Sequence, residues 1–403
     1  MFSPVSQRRR ILDQVLTTSS VALLGGVNAL IIGVALGPAD FGTLAGVLAV
    51  NYLIARAWVG GILISIQKEL SISKNVGTAV DRCLPIFIAA SLAFALVTAV
   101  FVSFFSELAS PLITGLMLAS LVSNISALSL KQWVGYRASS VAPEAIFLLA
   151  AVSLFDKLTL QMVVTFYVVY YAIQIVISTF SVFRVRSRLV LSVQTDLTIR
   201  QLLMGSMVSL SSSARDRLVI AFCTFLFQAH AVGQLAYAMV ILKGCISIGG
   251  AITSVRLVEA FGIKTTLIRS KMRLFSECFL LGSLAVAGLL SLSWIGSLGF
   301  GSVEIVLVSP ENLVFFFIAS FVNYALTVWT SNLILSDNAR FILVQFFVFL
   351  IIFIPFNVLI YFNPKIDVFQ YFFVSQFILL ISITVAHFIR IHYINDCGVT
   401  YDK

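Results

Sequence analysis

Apolar runs of about 20 residues, each long enough to cross a hydrocarbon core of about 30 Å as a helix, follow one another along nearly the whole chain of 403 residues. They fall near 12–36, 43–66, 83–105, 111–130, 142–156, 160–183, 202–228, 232–254, 274–297, 312–335, 341–362 and 371–390. In lipid every backbone N–H and C=O must be satisfied within the spanning structure, so only helices or a closed barrel can cross. No ten-residue blocks alternate apolar and polar residues as barrel strands do. The expected fold is therefore all-α, a polytopic membrane protein of twelve transmembrane helices. A composition of 60% hydrophobic and 11% charged residues, with mean hydropathy +1.05, excludes an ordinary soluble globule.

The fifth run is short and has Pro143 and Glu144 at its start, yet the charge pattern requires it. With twelve spans, one side of the membrane receives twenty of the 26 Lys and Arg residues and the other only Lys157 and Lys365. The positive-inside rule makes the first side cytoplasmic and places both termini there. The net charge of +9 belongs to those loops, which face anionic headgroups. It is spread over short segments with no groove for nucleic acid. MFSPVSQRRR (1–10) leads into a run too long for a cleaved signal, with no small-residue cleavage site, so a retained first helix is expected. The five cysteines show no CxxC or His pairing, so neither disulfide nor metal site is expected.

The most polar break in the middle, RVRSRLVLSVQTDLTIRQ (184–201), divides the chain into 1–201 and 202–403, six spans each. A shift of 191 residues brings DFGTLA (40–45) onto AVGQLA (231–236), each at the turn between the first two helices of its half. Two six-helix bundles, related by an axis along the membrane normal, are expected to enclose a central cavity.

Four cations lie inside the spans: Arg56, Arg215, Arg217 and Lys243, with Asp216 among them. Arg56 is eleven residues from Gln67, about 16 Å along a helix and near mid-membrane. Four basic side chains facing lipid would cost on the order of 10 kcal/mol, so they must face protein or water. Asp216 can neutralise about one of them, and its alternative role is coupling to protons or sodium. Under the 191-residue shift Lys243 falls on Tyr52, one turn from Arg56. Guanidinium groups favour phosphate and carboxylate through paired hydrogen bonds. The residues point to a transporter of a phosphorylated or carboxylated substrate. No phosphate-cradling GxxxxGK[ST] loop and no nucleophile triad is present, so no catalytic residues, cofactor or metal are assigned.

LGPADFG (36–42), the following helix ending GILISIQKEL (61–70), and ARDRLVIAFCTFLFQAHAVGQLAYAMVI (214–241) resemble the polysaccharide transporters of the multidrug/oligosaccharidyl-lipid/polysaccharide (MOP) exporter superfamily. The Wzx-type O-antigen flippases in particular are similar in helix number and length. The resemblance implies a cargo of oligosaccharide on undecaprenyl pyrophosphate, moved between leaflets of a bacterial inner membrane by alternating access. It implies that Arg56, Lys243 and one of Arg215 or Arg217 hold the diphosphate, with membrane lipids, a polysaccharide polymerase and other assembly proteins as partners. The rival classes are a multidrug exporter of the same superfamily and a membrane-embedded polysaccharide polymerase or ligase.

A reporter active only outside the cytoplasm should be active when fused after Pro38, Ser110 or Pro364 and silent after Arg82, Arg188 or Arg273. Activity after Arg188 would break the two-bundle topology.

Overall fold

The computed structural model describes residues 4–72, 133–183, 217–263, 271–297, 310–335, 340–363 and 365–396, together with 207, 210 and 211. Within these residues every regular element is helical. The expected spans at 83–105 and 111–130, most of the one at 202–228, and the division at residue 201 lie outside the described residues. Helix α1 (Pro4–Ile72) contains the first two spans as two arms. They are joined at Gly37, whose φ of 76° and ψ of 167° are not helical. A residue without Cβ takes that positive φ at no steric cost. Pro38 follows, where its missing N–H and fixed φ suit the start of the second arm. LGPADFG is thus a helix stop and a helix start in three residues.

Next come α2 (Trp133–Ser153), a single 3-10 turn (Phe155–Lys157) and α3 (Leu160–Phe183). Here the structure corrects the sequence reading. Glu144 does not stand at the start of the fifth span but in the middle of α2, because the helix continues upstream through Pro143. A proline costs its own hydrogen bond and one carbonyl contact, yet the helix runs on either side of it.

The second half contains α4 (Val219–Leu226), α5 (Ala229–Ile263), α6 (Lys271–Ser297), α7 (Pro310–Leu335), α8 (Arg340–Phe362) and α9 (Val368–Asp396). Six stretches of the described helices are long and apolar enough to cross a membrane. Exposed side chains such as Leu23, Phe180, Ile351, Leu359 and Phe362 give the surface an apolar skin, which would be a defect in water but suits lipid.

Two clusters dominate the core. The larger lies mostly in the second half, where Phe349 stacks on Phe353 at 4.8 Å and Phe316 on Phe372 at 5.7 Å, and takes in Ala49 and Leu53 from the second arm of α1. The smaller packs Ile32, Phe41, Leu44, Phe147 and Val163 of the first half with Ala236 and Tyr237 of α5. The halves therefore share a core at the end carrying Gly37.

That contact is close because both sides are glycine. A Cβ at Gly42 would collide with the Ala229 carbonyl, and one at Gly233 with the Pro38 carbonyl. A Cβ at Gly33 would enter the ring of Tyr237, and one at Gly46 the methyl of Thr224. The 191-residue shift reappears here in space. It carries 38 to 229, 42 to 233, 33 to 224 and 46 to 237, so each contact is exchanged with another. Phe41 lies 4.8 Å from the Tyr237 ring. The Tyr237 hydroxyl is buried with no hydrogen-bond partner among the described residues, which costs about 1 to 3 kcal/mol.

The second-half interior is tied by neutral amides. Gln345 accepts from the Ser211 hydroxyl at 3.1 Å and donates to Ser382 at 2.9 Å, while Asn323 donates to Gln376 at 2.9 Å. Gln345→Leu would leave two serine hydroxyls without this partner at about 1 to 3 kcal/mol in all. A fall of a few degrees in the melting temperature of the detergent-solubilised protein is expected. An unchanged melting temperature would show that the network carries no stability.

Candidate functional site

Asn28, Tyr52, Glu144, Tyr170, Tyr171, Arg217 and Lys243 lie nine to fourteen residues from the turn ends of their helices. At about 1.5 Å per residue this is roughly 14 to 21 Å, the middle of a bilayer core. They form a polar layer directly beneath the glycine crossing.

The layer is assembled from both halves. Arg217, at the head of α4, places its guanidinium carbon 4.4 Å from the ring centroid of Tyr52 on the second arm of α1. The negative ring face attracts the cation, more strongly where water is excluded. The backbone at Arg217 and Leu218 is wound as a π-turn, a local widening of the helix that recurs at functional positions. Tyr167 and Tyr171 on α3 lie within electrostatic reach of both Arg217 and Glu144.

Glu144 is the anion of the layer. Its Oε2 accepts from Asn28 Nδ2 at 2.7 Å and its Oε1 from the Tyr170 hydroxyl at 3.0 Å. Asn28 also donates to the Glu144 backbone carbonyl at 3.0 Å. Gly25 makes room for it, since a Cβ there would stand 3.2 Å from Oε1. Tyr170 meets Tyr171 edge to face at 5.1 Å, and Tyr167 packs on Phe147 at 5.0 Å. A carboxylate held this way is fixed in place by directional bonds.

Of the residues expected to act, Arg217 is brought against the first half. Lys243 is half-buried on α5 at the same depth. The backbone of Arg56 continues α1 one turn past Tyr52, and its side chain lies outside the description, as do Arg215 and Asp216. To Asp216, the acid read from the sequence, the structure adds Glu144 at mid-depth. By sequence the spans at that depth then hold four basic residues and two acidic ones. The sequence held a signal for Glu144: Tyr167, Tyr170 and Tyr171 stand at i, i+3 and i+4 on one helix face, with Asn28 the matching polar residue of the first span. Among the described residues no three His, Cys, Asp or Glu converge as metal ligands.

No family model matches the chain, and no curated protein matches it. Solved structures do. The fold is similar to that of a MOP superfamily transporter from Pyrococcus furiosus Vc1, described as having a binding pocket of reversed polarity that suggests a different function. The TM-score is 0.62 at 12% identity, with 95% of each chain covered. An outward-facing multidrug resistance MATE family transporter of the MOP superfamily matches at TM-score 0.60 and 12% identity, over 97% of this chain and 96% of that one. The eukaryotic MATE transporter AtDTX14 matches at 0.58 and 12%, over 96% of each. At this identity the likeness establishes the fold alone: all-helical, with two bundles, as in these neighbours.

Glu144→Leu should strand the Tyr170 hydroxyl, at about 1 to 3 kcal/mol, leave the Asn28 amide only the backbone carbonyl, and lower the melting temperature by several degrees. Glu144→Gln keeps an acceptor and the side-chain length and should stay close to the parent protein. Equal melting temperatures for the two variants would refute the bonded arrangement.

Proposed function

We propose that this protein is a flippase for an undecaprenyl-pyrophosphate-linked oligosaccharide, of the O-antigen or another surface polysaccharide, in a bacterial inner membrane with both termini cytoplasmic. The observation that carries the reading is Arg217, presented by one half to the other at mid-depth, in a layer whose cations outnumber its carboxylates. A surplus of buried positive charge is costly without an anion. A diphosphate offers the acceptor geometry that guanidinium groups favour. The Pyrococcus furiosus neighbour is described as having a pocket of reversed polarity and a different function, so the fold admits a change of charge in its cavity.

In this reading Arg56, Lys243 and Arg217 or Arg215 hold the diphosphate, the sugars occupy the space between the halves, and the lipid tail stays in the bilayer. No bond is made or broken. The two bundles rock so that the site faces the cytoplasm and then the other side. Asp216 holds a neighbouring arginine, and any coupling to protons or sodium has two carboxylates available, Asp216 and Glu144.

A second reading, a multidrug exporter, rests on one specific observation: Glu144 beside Tyr167, Tyr170 and Tyr171. A carboxylate next to aromatic faces is a seat for an organic cation. The structural neighbours fit both readings.

The two separate in one experiment on a strain that needs this protein for its surface polysaccharide. Arg56→Ala with Lys243→Ala should abolish surface polysaccharide and leave lipid-linked repeat units on the cytoplasmic leaflet, at unchanged protein level. Each lost charge-assisted contact is worth about 1.5 to 3 kcal/mol. Arg217→Lys should keep part of the activity. Normal export by the double variant would overturn the flippase reading. Ethidium efflux that disappears in Glu144→Gln would establish the exporter instead.

A further inference from the structure

We propose that Arg340 and Arg390, at the shared end of α8 and α9, hold the phosphate of an anionic phospholipid in the leaflet they face. The site is separate from the mid-depth layer and concerns a lipid of the surrounding membrane, whatever the cargo.

Three observations carry it. The first is depth. Arg340 is the first of the 23 residues of α8, and Arg390 is the 23rd of α9 counted from Val368. At about 1.5 Å per residue each lies roughly 33 Å from the opposite end of its helix, the thickness of a hydrocarbon core. Both arginines therefore sit where headgroup phosphates begin.

The second is orientation. Ser382 and Ala386 lie fully buried on one stripe of α9, and Arg390 is the next residue along it. That stripe faces α8, because Ser382 bonds Gln345 there, and Tyr393, one turn past Arg390, accepts a hydrogen bond from Arg340 at 3.2 Å. The Arg340 guanidinium carbon stands 4.2 Å from the centroid of the Tyr393 ring, which Phe341 meets edge to face at 6.0 Å. Arg340 is thus held against the turn that carries Arg390.

The third is charge. Among the described residues neither arginine pairs with a carboxylate, and the Arg390 Nε is buried with no hydrogen-bond partner. A snorkelling arginine keeps its head in water, which a buried Nε contradicts. Two like charges gathered about one tyrosine repel unless an anion joins them. A phosphodiester does so, since its two free oxygens accept the paired N–H groups of a guanidinium. The surface running from the two arginines into the bilayer is apolar and open, with Phe347 and Ile351 on α8 and Val385, Phe388 and Ile389 on α9. Acyl chains cover such a surface, and a free phosphate does not.

The test uses the purified full chain in detergent, with no cargo. Native mass spectrometry should show phosphatidylglycerol retained with an affinity about tenfold or more above that of phosphatidylcholine with the same chains. Arg340→Gln with Arg390→Gln should remove that preference, whereas Lys271→Gln, at the same end of the membrane on α6, should leave it. Each glutamine substitution alone should remove part of it, which keeps the test decisive if the pair fails to fold. Arg340→Lys with Arg390→Lys keeps the charge without the paired donors and should bind severalfold more weakly than the parent protein. Thermal denaturation separates the two sources of phosphate: phosphatidylglycerol should raise the melting temperature and inorganic phosphate should not. Equal retention of the two lipids, a preference that survives the glutamine substitutions, or an inorganic phosphate effect matching the lipid's would each overturn the proposal. None of these readouts involves transport, so loss of the flippase assignment leaves the site standing.

Discussion

In hydrocarbon the hydrophobic effect does not press helices together, because lipid tails are as apolar as leucine. What joins two helical bundles must then be close packing or polar bonding, and this protein uses the two at different depths. At the Gly37 end, backbone meets backbone through Gly42 and Gly233, close enough that no side chain fits between. At mid-depth the junction is polar, with Arg217 of one half on Tyr52 of the other. Everything else in the fold supports these two contacts, from the chain reversal at Gly37 to the amide bonds that stiffen the second half.

The charges of the mid-depth layer are held in place by geometry. Glu144 is fixed by Asn28 and Tyr170, and Arg217 by the ring of Tyr52. Neither charge faces lipid with its interactions unmet, which is how ionisable groups persist in a membrane at all. The tyrosines of α3 stand between them, at once apolar enough to pack on Phe147 and polar enough to hydrogen-bond.

Much of this was legible in the sequence because membrane rules are strict. Length and apolarity found the spans that the described helices contain, and the uneven placement of Lys and Arg gave each loop an expected side. The repeat found through DFGTLA and AVGQLA reappears as physical contact between those same turns. Glu144 escaped because a proline beside it reads as a helix start, whereas α2 runs through Pro143. The pairing of Arg217 with Tyr52 escaped for a different reason: it joins residues 165 positions apart in chain order, which no local pattern encodes.

The 191-residue shift holds at the crossing but fails just beneath it. There Tyr52 has Lys243 as its counterpart, and Arg217 has Gly26. Shape is mirrored while chemistry is not. One set of positions is fixed by two backbones in close approach, and the set one or two turns below carries charges and hydroxyls that differ between the halves. The molecule is modular in depth: a substitution in the lower layer changes its charge without touching the glycines above. The fold as a whole is shared with solved neighbours that have only 12% of this chain's residues in common with it.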